Sequence, residues 1–212
     1  MHQGASKPAE FAPNGGQILL DRCSVEGDNI WFAALGAGQT GPIVFLNCTF
    51  KGNGRIEGHQ RWSTGILLDN CSLPNGGIDF KNRGSMGSGH GWGTAWSVVW
   101  NCTAKSYVNQ LPPGTYNWVI GSKGESTPLR RPFNQSGPTL PVGIFDSHNI
   151  SVTPQSLYLA QLKERLGNTA LQNIGYGLSE QNPIPKETDY IFQGGMQADA
   201  SLRNRDFNAI HE

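Results

Sequence analysis

Charged residues are scarce in this chain, and several features that mark common protein classes are absent. Only 15% of the 212 residues are charged, and 16 Lys and Arg balance 16 Asp and Glu, so the formal net charge is zero. This balance argues against electrostatic capture of DNA or RNA and against a charge-driven disordered chain. No run of 18 apolar residues occurs, so we expect no membrane span. No C-x-x-C spacing occurs among the four cysteines, which disfavours structural zinc.

Glycine is abundant instead, with 28 residues, alongside 37% hydrophobic and 9% aromatic residues. That composition is typical of a β protein rich in turns. Residues 1–14 contain no apolar segment long enough for a signal peptide. The sequence therefore leaves two alternatives, an intracellular chain or a mature or truncated form of a secreted one.

A short segment recurs around each of the four cysteines. It consists of a mostly apolar triplet, a variable residue, a position that is usually Asn, then Cys, Ser or Thr, and an apolar residue. The four segments are Ile18–Val25, Ile43–Phe50, Ile66–Leu73 and Ser97–Ala104. The cysteines are 25, 23 and 31 residues apart. Such intervals suit one repeat of a solenoid and are too short for a blade of four strands.

Stacked repeats would place equivalent residues about 4.8 Å apart. We therefore expect the buried cysteines to stack as small hydrophobes, and Asn47, Asn70 and Asn101 to form a ladder of amides. Disulfide bonds between the cysteines are the alternative, although equivalent positions on adjacent repeats point the same way.

A second strand follows each cysteine at a nearly constant distance. If Ile30, Ile56 and Ile78 point inward, alternation sends their neighbours outward. The outward residues are then Trp31, Glu57 and Asp79, followed by Ala33, His59 and Lys81. The connections at 58–65 and 84–94 are the longest on this side, and long connections on one face of a solenoid usually mark its binding face.

The repeated Leu-x-Asn-Cys-Thr-Phe strand, with repeats of twenty-odd residues, resembles the right-handed parallel β-helix of the pectin lyase-like superfamily. The resemblance covers about residues 16–124, roughly half of the chain. It implies an all-β solenoid, and for most members of that superfamily it implies action on polysaccharides outside the cell. The segment Gly87–Gly91 is similar to the Gly-His-Gly motif of polygalacturonases, whose histidine lies beside the catalytic carboxylates. The Asn-Thr-Asp, Asp-Asp and Arg-x-Lys signatures of those hydrolases are absent here.

Acidic, basic and aromatic residues converge on the predicted binding face. The candidate catalytic residues are Lys81, Arg83, His90, Asp79 and Glu57, and the candidate substrate-binding residues are His59, Arg61, Trp62 and Trp92. Tryptophan rings stack on sugars, and Arg and Lys pair with uronate carboxylates. A lyase would use Lys81 or Arg83 as base or as the cation that neutralises the uronate, and Glu57 and Asp79 could then bind Ca²⁺. A hydrolase would instead use Glu57 and Asp79 as its carboxylate pair.

The rest of the chain is expected to frame this solenoid. We expect a lead segment at residues 1–15, solenoid repeats at 16–125 and a Pro-rich surface loop at 126–152. A helix at 153–167 would follow, with Thr153 as N-cap, Pro154 at its first position and Gly167 at its end, capping the carboxy-terminal end of the solenoid. Residues 168–212 would form an extended or disordered tail.

The sequence thus predicts an extracellular protein that acts on a polysaccharide by lyase or hydrolase chemistry. The alternative is a structural or glycan-binding β-helix without catalysis that assembles into a fibre or coat. The amino-terminal end of the solenoid would need a cover, either from further repeats or from another chain.

Overall fold

The computed structural model describes residues 9–128 and 139–177, and strands with their connections make up most of them. In chain order the strands are β1 (Ala9–Phe11), β2 (Ile18–Asp21), β3 (Ser24–Glu26), β4 (Trp31–Leu35), β5 (Thr40–Leu46), β6 (Thr49–Lys51), β7 (Arg55–Gly58), β8 (Ser63–Asp69), β9 (Ser72–Phe80), β10 (Thr94–Ala95), β11 (Ser97–Trp100), β12 (Thr103–Asn109), β13 (Asn117–Ile120), β14 (Lys123–Ser126) and β15 (Ile144–Asp146). A short helical turn, α1 (Met86–Gly89), follows β9, and helix α2 (Leu157–Asn173) follows β15.

The strands assemble into two sheets to which the chain contributes in alternation. Sheet A has the order β1-β4-β7-β9-β12-β14 with β3 and β6 beside this row, and sheet B has the order β15-β13-β11-β8-β5-β2 with β10 beside β8. The strand pairings are parallel, and equivalent residues such as Val44, Leu67 and Val98 are register partners. The predicted all-β fold with stacked parallel strands and one carboxy-terminal helix is confirmed, and the arrangement is consistent with a β-helix.

The residue before each cysteine, which is Asn in three of the four segments and Arg22 in the first, turns the chain from sheet B to sheet A. Asn47, Asn70 and Asn101 have φ values of 51°, 54° and 49°, in the left-handed region that Asn enters more readily than most residues. Asn70 Nδ2 donates to Asn47 Oδ1 at 2.6 Å, so the expected amide ladder forms at this step. Asn101 Nδ2 instead donates to the carbonyl oxygens of Val152 and Pro154, at 2.8 and 3.1 Å.

The four cysteines are free thiols, so the disulfide alternative is wrong. Sγ of Cys48, Cys71 and Cys102 each lies 3.3 Å from a carbonyl oxygen of the preceding repeat. These three residues are at most 2% exposed, and burial raises the pKa of the Cys71 thiol well above its ordinary value. The recurring cysteine therefore fills a small core position, and its thiol, a weak donor, has a carbonyl oxygen as acceptor.

Helix α2 lies against the outer face of sheet B. Its Leu159, Leu162 and Leu171 pack with Val44 and Leu46 of β5. The predicted position over the carboxy-terminal end of the solenoid is therefore wrong. The reason is that β2, β5 and β8 also carry apolar side chains on their outer face, and the returning chain buries these.

The start of α2 differs from the predicted cap. Ser156 is the N-cap, with its Oγ accepting a hydrogen bond from the N–H of Leu159 at 3.1 Å, and Thr153 lies outside the helix. Asp69, at the end of β8, accepts from Ser156 Oγ and from the N–H of Tyr158, both at 2.7 Å. The carboxylate of a sheet B strand therefore anchors the helix, which local sequence spacing does not reveal.

Strands and helix also extend beyond several expected boundaries. β1 lies within residues 1–15 and pairs with β4, while β15 lies within residues 126–152 and pairs with β13. Gly167, with φ of 77°, interrupts α2, and the helix then continues to Asn173. Residues 178–212 of the expected tail lie outside the described residues. Within the described part of the chain, neither helix has the length and apolar character needed to cross a bilayer.

Candidate functional site

The longer connections lie along one edge of the sheet stack, where the chain passes from sheet A to sheet B. Three of them cover residues 59–62, 81–93 and 110–116. The second packs on the first, because the backbone N–H groups of Arg61 and Trp62 donate to the carbonyl oxygens of His90 and Trp92, at 3.1 and 2.9 Å. The predicted site residues meet at this edge.

Two buried carboxylates form the centre of the edge. Glu57 in β7 and Asp79 in β9 are register partners in sheet A, and each is 1% exposed. They alternate with the core residues Ile56 and Ile78, as predicted. Longer side chains nevertheless cover them, so the two outward-pointing carboxylates belong to a buried ionic cluster.

Three cations surround these carboxylates. Arg55 binds Asp79 through two guanidinium nitrogens. Its Nε lies 2.7 Å from Oδ2, and its Nη2 forms an ion pair with Oδ1. Lys81 Nζ lies 2.6 Å from Asp79 Oδ2 and 3.2 Å from Glu57 Oε2, and Arg83 Nη1 lies 3.3 Å from Glu57 Oε1. Burial alone would raise the pKa of Asp79, but the positive charges of Lys81 and Arg55 outweigh it and lower the pKa below its ordinary value.

Glu57 also orients a histidine. Nδ1 of His59 lies 2.7 Å from Glu57 Oε1, and the His59 side chain is 22% exposed. The ring meets Trp31 edge to face, with 4.8 Å between ring centroids. A carboxylate bound at Nδ1 fixes the orientation of an imidazole and leaves Nε2 to exchange a proton with a bound molecule.

His90 is held differently. Arg83 Nη1 lies 2.9 Å from His90 Nδ1, so the guanidinium donates and the imidazole accepts. Burial and then the positive charge of Arg83 lower the pKa of His90 below its ordinary value. Its ring lies 4.8 Å from the ring of His59. The two histidines are therefore neighbours with different partners, one a carboxylate and the other a guanidinium.

The Gly87–Gly91 segment explains how His90 reaches this position. Gly87 has φ of 57°, and a Cβ at that residue would collide with the His90 ring. Arg61 holds the segment from the preceding repeat, with Nη2 3.1 Å from Ser88 Oγ and Nε 3.2 Å from the Gly89 carbonyl oxygen. Gly87 thus makes room for the imidazole.

An aromatic pair borders the cluster. The rings of Trp62 and Trp92 lie 6.4 Å apart, and Trp62 is 42% exposed. Exposed indole faces of this kind suit stacking against a sugar ring.

The structure brings all nine predicted site residues to this edge, together with Arg55, which the sequence analysis did not name, and Trp31, which it placed on the outer face without a role. Arg55 lies two residues before Glu57 in the same strand, so alternation alone would have placed it on the same face. Trp31 is the register partner of Arg55. An irregularity in β4 between Trp31 and Ala33 then shifts the alignment, so that Ala33 pairs with Ile56. We call the following seven side chains the ionic edge: Arg55, Glu57, His59, Asp79, Lys81, Arg83 and His90.

The carboxylates considered as Ca²⁺ ligands do not fit that ion. Lys81 Nζ bridges Glu57 and Asp79, and the remaining carboxylate oxygens are bound by Arg55, His59 and Arg83. No group of three or more His, Cys, Asp or Glu within residues 9–128 and 139–177 could hold a metal ion. We therefore derive no step through a metal.

No model of a known protein family matches this chain, and no curated protein or solved structure matches it significantly.

Proposed function

We propose that the ionic edge is the active site of an extracellular enzyme that cleaves a uronate-containing polysaccharide by lyase chemistry. The observation that carries the proposal is the contact of 2.7 Å between Glu57 and His59 beside a group of cations. This contact orients a proton acceptor, His59, next to positive charge. A base and a neutralising cation are the two elements that β-elimination requires.

In this reaction a base removes the proton at C5 of the uronate while a cation neutralises the adjacent carboxylate. His59 Nε2 takes the proton, the C–H electron pair forms the C4–C5 double bond, and the bond between C4 and the glycosidic oxygen breaks. The imidazolium of His59 can return the proton to the departing oxygen. Glu57 orients His59 and stabilises its charged form, while the exposed Arg61 and the partly exposed Lys81 face the uronate carboxylate.

The contacts favour His59 over the bases considered from the sequence. Lys81 Nζ is bound by two carboxylates and contributes charge rather than a free amine. Arg83 is 3% exposed, and its Nη1 also donates to the His59 carbonyl oxygen at 2.7 Å. Hydrolysis would require a protonated carboxyl as general acid, and the lowered pKa of Asp79 disfavours that role.

The proposal includes the finer fold assignment. Stacked parallel strands, the repeated Asn-Cys turn and a polar edge beneath the long connections support a right-handed β-helix related to the pectin lyase-like superfamily. Most members of that superfamily act outside the cell, so we propose a secreted protein.

A screen of acidic and neutral polysaccharides tests the proposal, with ultraviolet absorbance of unsaturated uronides and new reducing ends as the two readouts. We expect both signals, and we expect His59→Gln to lower kcat by about 10²- to 10⁴-fold, the usual contribution of an acid–base group. His148→Gln is the matched control, because His148 packs against Phe145 in the last repeat. Reducing ends without absorbance would contradict lyase chemistry.

A glycan-binding or structural protein without catalysis is the second candidate. Both carboxylates of the ionic edge are fully matched by cations, as in a network that only stabilises the fold. Absence of turnover across the panel, together with a loss of stability in His59→Gln, would favour this candidate.

A further inference from the structure

A groove of about 480 Å³ lies beside the ionic edge, beneath the third long connection. Its lining includes Trp92, Leu111, Pro112, Pro113 and Tyr116. The groove adjoins the candidate site, because the ring of Trp92 lies 6.4 Å from that of Trp62, and the lining residue Asn82 stands between Lys81 and Arg83 in the chain.

The chemistry of the groove differs from that of the ionic edge. Its lining comprises apolar, aromatic and uncharged polar side chains and contains no charged residue. A volume within about 300–1,000 Å³, with a few polar groups among aromatic walls, is typical of sites for small ligands. The lining therefore favours a neutral ligand with both apolar faces and hydroxyl groups.

The walls are fixed by hydrogen bonds before any ligand binds. The N–H of Asn82 donates to Gln110 Oε1 at 2.6 Å, and the N–H of Leu111 donates to the Pro141 carbonyl oxygen at 2.8 Å. The carbonyl oxygen of Tyr116, another lining residue, accepts from the N–H of Trp96 at 2.7 Å. Such a site loses little conformational freedom on binding.

We propose that this groove is a subsite for a neutral sugar residue of the polysaccharide that the ionic edge would cleave. The inference rests on the proposed function and extends it to the substrate class. A polymer that occupies both the ionic edge and the groove places an acidic sugar over His59 and Arg61. It places a neutral sugar against Trp92 and Tyr116. The substrate class is accordingly a heteropolysaccharide with uronate and neutral residues, rather than a homopolymer of uronate.

Binding of defined oligosaccharides to the full chain tests this proposal. The probes are neutral hexasaccharides of glucose, mannose, xylose and galactose, and a hexamer of galacturonate, measured by calorimetry. We expect at least one neutral probe to bind, with an affinity that Tyr116→Ala lowers about five- to tenfold by removing a stacking surface. Tyr116→Phe keeps the ring and should retain most of the affinity, and His148→Gln, at a residue outside the groove lining that packs against Phe145, should leave neutral binding unchanged.

The result that would overturn the proposal is neutral binding that is undetectable or insensitive to Tyr116→Ala in a folded variant. Binding of the galacturonate probe alone would overturn it as well. Failure of the proposed function gives a different pattern, in which no polysaccharide is cleaved but neutral binding still depends on Tyr116. Circular dichroism of each variant excludes loss of folding as the cause.

Discussion

The stability of the docked carboxy-terminal helix should depend on pH through Asp69. Burial raises the pKa of Asp69 from 3.8 to about 6, although the donors at Tyr158, Ser156 and Leu157 pull it in the opposite direction. Because the pKa is higher in the folded chain, the folded state binds the proton more tightly. Protonation of Asp69 therefore contributes to the free energy of unfolding. This contribution is fully present below pH 3.8 and is lost as the pH rises through about 6. The difference corresponds to roughly 3 kcal/mol of unfolding free energy.

Urea denaturation between pH 4 and pH 7 measures this contribution when native protein is compared with Asp69→Asn. The variant has no titration at this site, so between pH 4 and pH 7 the unfolding free energy of the native protein should fall by roughly 2.4 kcal/mol relative to that of the variant. Asp21, whose pKa is also raised, is present in both proteins and cancels. Asp146→Asn, at an exposed carboxylate of β15, is the matched control and should follow the native protein. Parallel curves for native protein and Asp69→Asn would refute the reasoning.

Two further predictions concern the ionic edge and the core. Asp79→Asn should lower the unfolding free energy by roughly 2–4 kcal/mol, because Arg55 and Lys81 lose a buried partner; a urea midpoint equal to that of the native protein would contradict it. Thiol labelling under native conditions should modify the half-buried Cys23 first, while the other three cysteines react only as fast as the chain unfolds. Equal labelling rates for all four would show that the thiol stack is open to solvent.

The fold could be predicted because its signal repeats along the chain. Asn47, Asn70 and Asn101 occupy the same left-handed turn, and the cysteine after each of them meets the equivalent carbonyl of the preceding repeat, so local patterns reinforce one another. The location of α2 could not be predicted in this way. It depends on Asp69 and on the outer apolar face of sheet B, both of which lie many residues away in sequence from the helix.

The candidate site was predictable in its members and less so in its chemistry. Alternation in β7 and β9 places Glu57 and Asp79 together, but it does not show that Arg55 and Lys81 neutralise them. The pairing of Glu57 with His59 depends on side-chain rotamers rather than on spacing. The sequence therefore favoured Lys81 or Arg83 as base, whereas the contacts favour His59.

The most direct test of the account is the ultraviolet absorbance of unsaturated uronides formed from the uronate-containing heteropolysaccharides of the panel, followed in parallel for native protein and His59→Gln. We expect absorbance that rises with the native protein and a kcat about 10²- to 10⁴-fold lower in the folded variant. Equal rates for the two proteins would contradict the assignment of His59 as the acid–base group, and absence of the chromophore with cleaved chains would contradict lyase chemistry.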